Sequence, residues 1–167
     1  MTIPFAALGA LVAALIETTV LPLFPVAGAT INLVLVLAIV ATMAMGVEDG
    51  LVWAFVGGLM LDMLTPARPL GATALSLLLV VGVTVIVARF FPPDRRWPAM
   101  VATFVLTAVY HVVLLGVLRL TEGLDLTALQ PRVVFVAAIL NVLVALPAVV
   151  VLNVIERRFG AAERPDW

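Results

Sequence analysis

Few residues of this chain could take part in chemistry, and they are set in almost uniformly apolar sequence. The ionisable candidates are Glu17, Asp62 and His111, and the only serine is Ser76. A nucleophilic site needs a base and an orienting group beside the nucleophile, and a metal site needs ligands at close spacing. The acids and the single histidine lie far apart in sequence, and there is no cysteine. We therefore predict no catalytic residue, no metal, no cofactor and no enzymatic activity.

Asp62 ends a series of small residues that recur at intervals of four from residue 46. On a helix this series forms a ridge that a neighbouring backbone can approach closely, so it is a candidate surface for helix docking. We define the ridge as Gly46, Gly50, Ala54, Gly57 and Gly58. A carboxylate in line with the ridge should face protein, because an unpaired charge in hydrocarbon costs about 2.5–3.5 kcal/mol on insertion scales. The nearest basic partner is Arg68, so we predict an Asp62–Arg68 ion pair.

Three further polar residues lie within apolar stretches. Glu17 follows Gly9 and Ala13 at intervals of four, which predicts that it faces other helices. The alternative is that Glu17 lies near the lipid headgroups and ends its span. His111 and Asn141 lie in two later apolar stretches. His111 either joins a cluster with the two acids or makes one isolated interhelical hydrogen bond.

The elements that position these residues are predicted to be transmembrane helices. The chain has 65% apolar and 11% charged residues and a mean hydropathy of +1.28, which is too apolar for a soluble domain. Its 167 residues allow about six spans of roughly 20 residues and leave no room for a soluble domain. We predict one all-α membrane domain over residues 1–167, with spans at residues 3–23, 32–46, 50–65, 70–91, 99–119 and 133–155, and a polar cytoplasmic tail at 156–167.

The second and third predicted spans are short and are separated by a polar turn at Val47, Glu48 and Asp49. At 1.5 Å per residue each is roughly 22 Å long, less than the ~30 Å hydrocarbon core. We favour two full spans with local thinning of the bilayer, and the alternative is a helical hairpin that enters only part of the way.

The arginines predict the orientation of the chain in the membrane, since cytoplasmic loops carry an excess of basic residues. With six spans, one side holds Arg89, Arg95, Arg96, Arg157, Arg158 and Arg164. The other side holds Arg68, Arg119 and Arg132. This places both termini in the cytoplasm. Glu17, Asp62 and His111 then lie in the outer halves of their spans, where a cluster that opens outward can form.

The stretch from residue 46 to residue 75 resembles the rod-shape-determining protein family MreD. The resemblance is carried by a glycine-flanked polar turn, the sequence GGLMLD and, after a short link, PLGATAL. The matching residues are Gly46, Gly50, Gly57, Gly58, Leu59, Asp62, Pro69, Leu70 and Gly71. One position departs from the family pattern: the family opens its second segment with a Pro-Asp pair, where this chain has Thr30-Ile31-Asn32.

The resemblance implies a non-enzymatic inner-membrane scaffold of the bacterial cell-elongation machinery. Its partners would be MreC, MreB filaments and the complex of RodA with its transpeptidase, and it would support peptidoglycan synthesis and rod shape. In its six-helix layout the family also resembles the substrate-binding subunits of energy-coupling-factor transporters. The alternative function is therefore a small-molecule-binding transporter subunit. The net charge of −1 offers no basic surface for nucleic acid.

Overall fold

A computed structural model describes residues 3–65, 69–90, 97–123 and 130–159, and this part of the chain is helical. Six α-helices follow one another without an intervening strand in the described residues. They are α1 (Ile3–Thr19), α2 (Leu33–Ala44), α3 (Val47–Leu64), α4 (Ala72–Ala88), α5 (Trp97–Glu122) and α6 (Pro131–Phe159). A short 3₁₀ turn at Leu21–Leu23 continues α1. The prediction of an all-α chain is confirmed, and each helix falls on one predicted span.

Several predicted boundaries are wrong. Val47, Glu48 and Asp49 form the first turn of α3 and are not a turn between spans. The break lies earlier, at Met45 and Gly46, and the φ of 113° at Gly46 is one that glycine adopts readily. The two acids are favourable in this first turn because free N–H groups and the helix dipole attract negative charge there. At the other end of the chain α6 continues to Phe159, four residues past the predicted end of the sixth span at residue 155.

Helix α2 is the centre of the bundle. It contacts all five other helices, which follow one another around it in the order α1, α3, α4, α5 and α6. The ring is open, because α1 and α6 make no contact with each other. A helix that is apolar on every side is found either in the core of a protein or in the lipid of a membrane. The twelve-residue α2 is roughly 18 Å long, and its enclosure explains how it can be shorter than the hydrocarbon core.

Among the described residues, three of the five outer helices have the length and composition of membrane spans. Three segments are long and apolar enough to cross a membrane: Ile3–Leu23, Trp97–Glu122 and Pro131–Leu152. Large apolar side chains cover their outward faces, among them Phe5, Leu8, Val105, Phe135 and Leu143. So much exposed apolar surface would be unfavourable in water and is matched to lipid. The chain therefore has the character of a membrane protein.

Candidate functional site

Asp62 lies in the last turn of α3 and binds the beginning of α4. Its carboxylate accepts hydrogen bonds from the backbone N–H groups of Gly71 at 2.9 Å, Thr73 at 2.9 Å and Ala74 at 3.3 Å. The side chain is only 3% exposed. The first N–H groups of a helix have no partner within it, and a negative charge placed there is stabilised by the helix dipole. Asp62 is thus the N-terminal cap of α4, supplied by the preceding helix.

The small residues of α3 make this contact possible. A Cβ atom on Gly58 would lie 2.5 Å from the Cα of Ala74, a distance that no real side chain tolerates. The backbones of α3 and α4 therefore touch one turn before Asp62, which brings the carboxylate level with the N–H groups of α4. The stretches GGLMLD and PLGATAL, which are separate in sequence, form one structural unit.

The predicted partner of Asp62 was a basic side chain. Arg68 lies outside the described residues, and so do Pro66 and Ala67. Within the described residues the partners of the carboxylate are backbone N–H groups. Our sequence reasoning considered only an opposite charge and overlooked a helix N-terminus. The sequence does contain a signal for this helix N-terminus. Gly71, nine residues after Asp62, precedes an apolar run and marks the start of a helix.

The ridge on α3 packs against the chain's own helices. Gly50 lies against Thr42 and Gly57 against Val34, both on α2, while Gly58 lies against α4. Ala54 between them is fully buried. These residues act as close-contact positions, but α2 and α4 already cover them, so they offer no free surface to a partner protein. Gly46 does not belong to the ridge, since it precedes α3 and has no atom within 4 Å of an added Cβ.

Glu17 caps the N-terminus of α2, as Asp62 caps the N-terminus of α4. It lies near the end of α1, and its Oε2 accepts a hydrogen bond of 2.8 Å from the backbone N–H of Val34, the second residue of α2. This contact directs the carboxylate into the bundle. The two capped helix starts lie at the same end of the molecule, because Gly57 and Gly58 are neighbours on α3 and contact Val34 and Ala74 respectively.

Asn141 on α6 is fully buried and joins three helices. Its Oδ1 accepts a hydrogen bond of 2.8 Å from the backbone N–H of Asn32, and its Nδ2 donates to Oγ1 of Thr107 on α5 at 3.1 Å. The Thr107 hydroxyl in turn donates to the carbonyl oxygen of Thr103 at 2.7 Å. We refer to Asn32, Thr107 and Asn141 as the amide network. Sequence reasoning identified Asn141 as an intramembrane polar residue but missed Thr107, since a threonine in an apolar helix usually bonds only to its own helix.

His111 lies one turn beyond Thr107 on α5. Its Nδ1 is 2.7 Å from the carbonyl oxygen of Thr107. Because a carbonyl oxygen can only accept, Nδ1 carries the proton and donates. The ring packs edge-on against Tyr110 and lines a cavity of about 360 Å³ between α5 and the start of α6. The structure therefore places His111 beside the amide network, while Asp62 lies on the far side of α2, among α3 and α4.

The arrangement is suited to holding helices together. Both carboxylates accept cross-helix hydrogen bonds from helix N-termini, whereas the Ser76 hydroxyl donates within its own helix, to the carbonyl oxygen of Ala72. Among the described residues no three His, Asp or Glu side chains come together as a metal site. Cross-helix bonds of this kind fix the positions of α2 and α4 at one end of the bundle.

Comparison of the chain with protein-family models, curated proteins and solved structures finds no match. The resemblance to the MreD family therefore depends on the motif residues themselves.

Proposed function

We propose that this chain is a non-enzymatic scaffold of the bacterial cell-elongation machinery, as its resemblance to the MreD family implies. In this role it docks MreC in the inner membrane and helps to connect MreB filaments to the RodA–transpeptidase complex. The proposal includes six transmembrane spans, with both termini in the cytoplasm. The three long outer spans and the arginine distribution support this topology.

One observation carries the proposal: three of the residues that provide the resemblance, Gly58, Asp62 and Gly71, meet at the contact between α3 and α4. Gly58 permits close contact between α3 and α4, Asp62 caps α4, and Gly71 starts it. A proton or ion carrier needs an acidic group that can exchange its proton or its ion during turnover. The Asp62 carboxylate instead accepts hydrogen bonds from three backbone N–H groups, which supports a structural role for this residue.

Partners dock on the outer surface of the ring of helices around α2, because α2 and α4 cover the ridge. The spans there expose large apolar side chains, which suits contact with other membrane helices as well as with lipid. The docking ridge that the sequence predicted thus contributes indirectly, by fixing the shape of the bundle that partners meet.

The test is affinity purification of the tagged chain from its own host in mild detergent, followed by mass spectrometry. We expect MreC and RodA-type elongation proteins in the eluate, and rounded cells when the gene is removed. A transporter module with an ATPase in the eluate, together with unchanged cell shape, would overturn the proposal. That result would establish the alternative function of a transporter subunit.

A further inference from the structure

A cavity of about 360 Å³ at one end of the bundle has no role in the scaffold described above. Helix α5 provides one wall and the beginning of α6 the other, with Gly28 of the α1–α2 connection at its edge. The lining residues are Gly28, His111, Leu114, Leu115, Leu118, Gln130, Val133 and Val134. Its volume lies within the range of about 300–1,000 Å³ that small-molecule sites occupy.

The lining determines which ligand chemistry fits. Five of the eight residues are leucine or valine, which favours an aliphatic body. Two side chains can form hydrogen bonds: His111 lies at the deeper end of the α5 wall, and Gln130 is exposed immediately before α6. Among the described residues that line the cavity, none is acidic or an arginine, so a charged group would enter without a counter-charge from them, at considerable cost. Mostly apolar walls with a few placed polar groups are typical of ligand sites.

His111 is held in a fixed orientation. Its Nδ1 donates to the Thr107 carbonyl, and the Thr107 hydroxyl belongs to the amide network that also holds Asn141 and Asn32. Through this network the α5 wall of the cavity is connected to the start of α2. Such rigid placement of a polar group lowers the entropic cost of binding a ligand beside it.

We propose that this cavity binds an uncharged amphiphile, with an aliphatic body along Leu114, Leu115 and Val134 and a hydrogen-bonding oxygen at His111 or Gln130. The aliphatic chain comes either from a free amphiphile or from the acyl tail of an uncharged bilayer lipid such as a diacylglycerol. The site uses α5 and α6 and leaves the α3–α4 unit untouched, so its test does not depend on the scaffold function.

The test is photolabelling of the full chain in nanodiscs with a straight-chain fatty alcohol that carries a diazirine. Peptide mass spectrometry locates the label. We expect label concentrated on residues 111–118 and 133–134, with at least a fivefold reduction when the unmodified alcohol is added in excess. A parallel arm uses a diacylglycerol with the diazirine in its acyl tail, and cavity labelling in that arm identifies the bilayer as the source.

Matched variants separate the cavity from general contact with lipid. Val134→Phe fills the cavity and should reduce its label severalfold, whereas Val151→Phe makes the same change on an exposed face of α6 and should leave it unchanged. If Val134→Phe does not fold, Leu115→Phe provides the same test from α5. Label that is spread evenly over lipid-facing helices, or that resists competition, would overturn the proposal. Equal cavity labelling by the corresponding charged fatty acid would overturn the requirement for an uncharged head.

Discussion

At the scale of single residues, Asp62 shows how backbone N–H groups can hold a buried carboxylate. Three backbone N–H groups surround it, and the dipole of α4 adds a partial positive charge at the same place. Burial of a charge is tolerated when hydrogen bonds replace its hydration. The Glu17 carboxylate likewise accepts a hydrogen bond from the backbone N–H of Val34. In both cases the partner is a helix end, which composition alone does not reveal.

Replacement of Asp62 tests its role as a cap. We expect Asp62→Asn to lower the free energy of unfolding by about 1–2 kcal/mol, because the amide keeps one acceptor oxygen and loses the charge. Asp62→Leu should cost more, about 2–4 kcal/mol, since the N–H groups of Gly71, Thr73 and Ala74 then lose their acceptor. Thermal unfolding in detergent measures both, with the exposed Glu122→Gln as control. Equal stability of Asp62→Leu and the wild type would contradict the capping role.

Glycine substitutions test the close contact between α3 and α4. Gly58→Ala places a Cβ 2.5 Å from the Cα of Ala74, so the helices must separate, at a cost of about 1–3 kcal/mol. Gly82→Ala is the matched control, because a Cβ at Gly82 meets nothing within 4 Å. The measurement is the melting temperature of each variant. Similar melting temperatures for the two variants would contradict a close contact between α3 and α4 at Gly58.

At the scale of helices, α2 is held at its start by two helices that do not contact each other. Glu17 of α1 binds the N–H of Val34, and Asn141 of α6 binds the N–H of Asn32. The sequence provides Thr30-Ile31-Asn32 where the MreD pattern has Pro-Asp, and the Asn32 side chain makes no capping bond. The cap is therefore supplied from neighbouring helices. Helices α1 and α6 are thus connected through the start of α2, although they do not contact each other.

A double-mutant cycle measures the coupling within the amide network. Thr107→Val and Asn141→Leu remove the two partners of the bond between Nδ2 and Oγ1. We expect a coupling free energy of about 0.5–2 kcal/mol, in the range found for contacting buried groups. Asn141→Leu alone should be the more destabilising change, because it also leaves the N–H of Asn32 without its acceptor. Chemical or thermal unfolding of the four proteins gives the cycle, and strict additivity would contradict the network.

At the scale of the whole molecule, the prediction is the topology of the chain in its membrane. With six spans both termini lie in the cytoplasm, so a C-terminal alkaline phosphatase fusion should be inactive and a C-terminal fluorescent protein should be bright. A fusion after Arg68 should show the opposite behaviour, since that connection lies outside. The control is the same pair of reporters after Arg95, on the cytoplasmic side. An active C-terminal phosphatase fusion would contradict the six-span topology.

Much of the fold was predictable from the sequence, since hydropathy and chain breaks are local properties. Apolar stretches separated by proline, glycine and charge give six helices in order, and each coincides with one predicted span. The errors at Glu48 and Asp49 arose because acids in an apolar chain were interpreted as a turn. They are equally favourable in the first turn of a helix.

The sequence by itself determined the all-helical, membrane-type composition and the positions of the polar residues. Only the tertiary structure decided what these residues contact: the N-terminus of α4 for Asp62, that of α2 for Glu17 and Asn141, and the cavity wall for His111. The same holds for the small-residue ridge, whose spacing predicts close packing but not which helix covers it. Hydropathy depends on each residue and its neighbours in the chain, whereas the partner of a buried carboxylate depends on which helix starts pack beside it. That packing follows from the contacts of all six helices together.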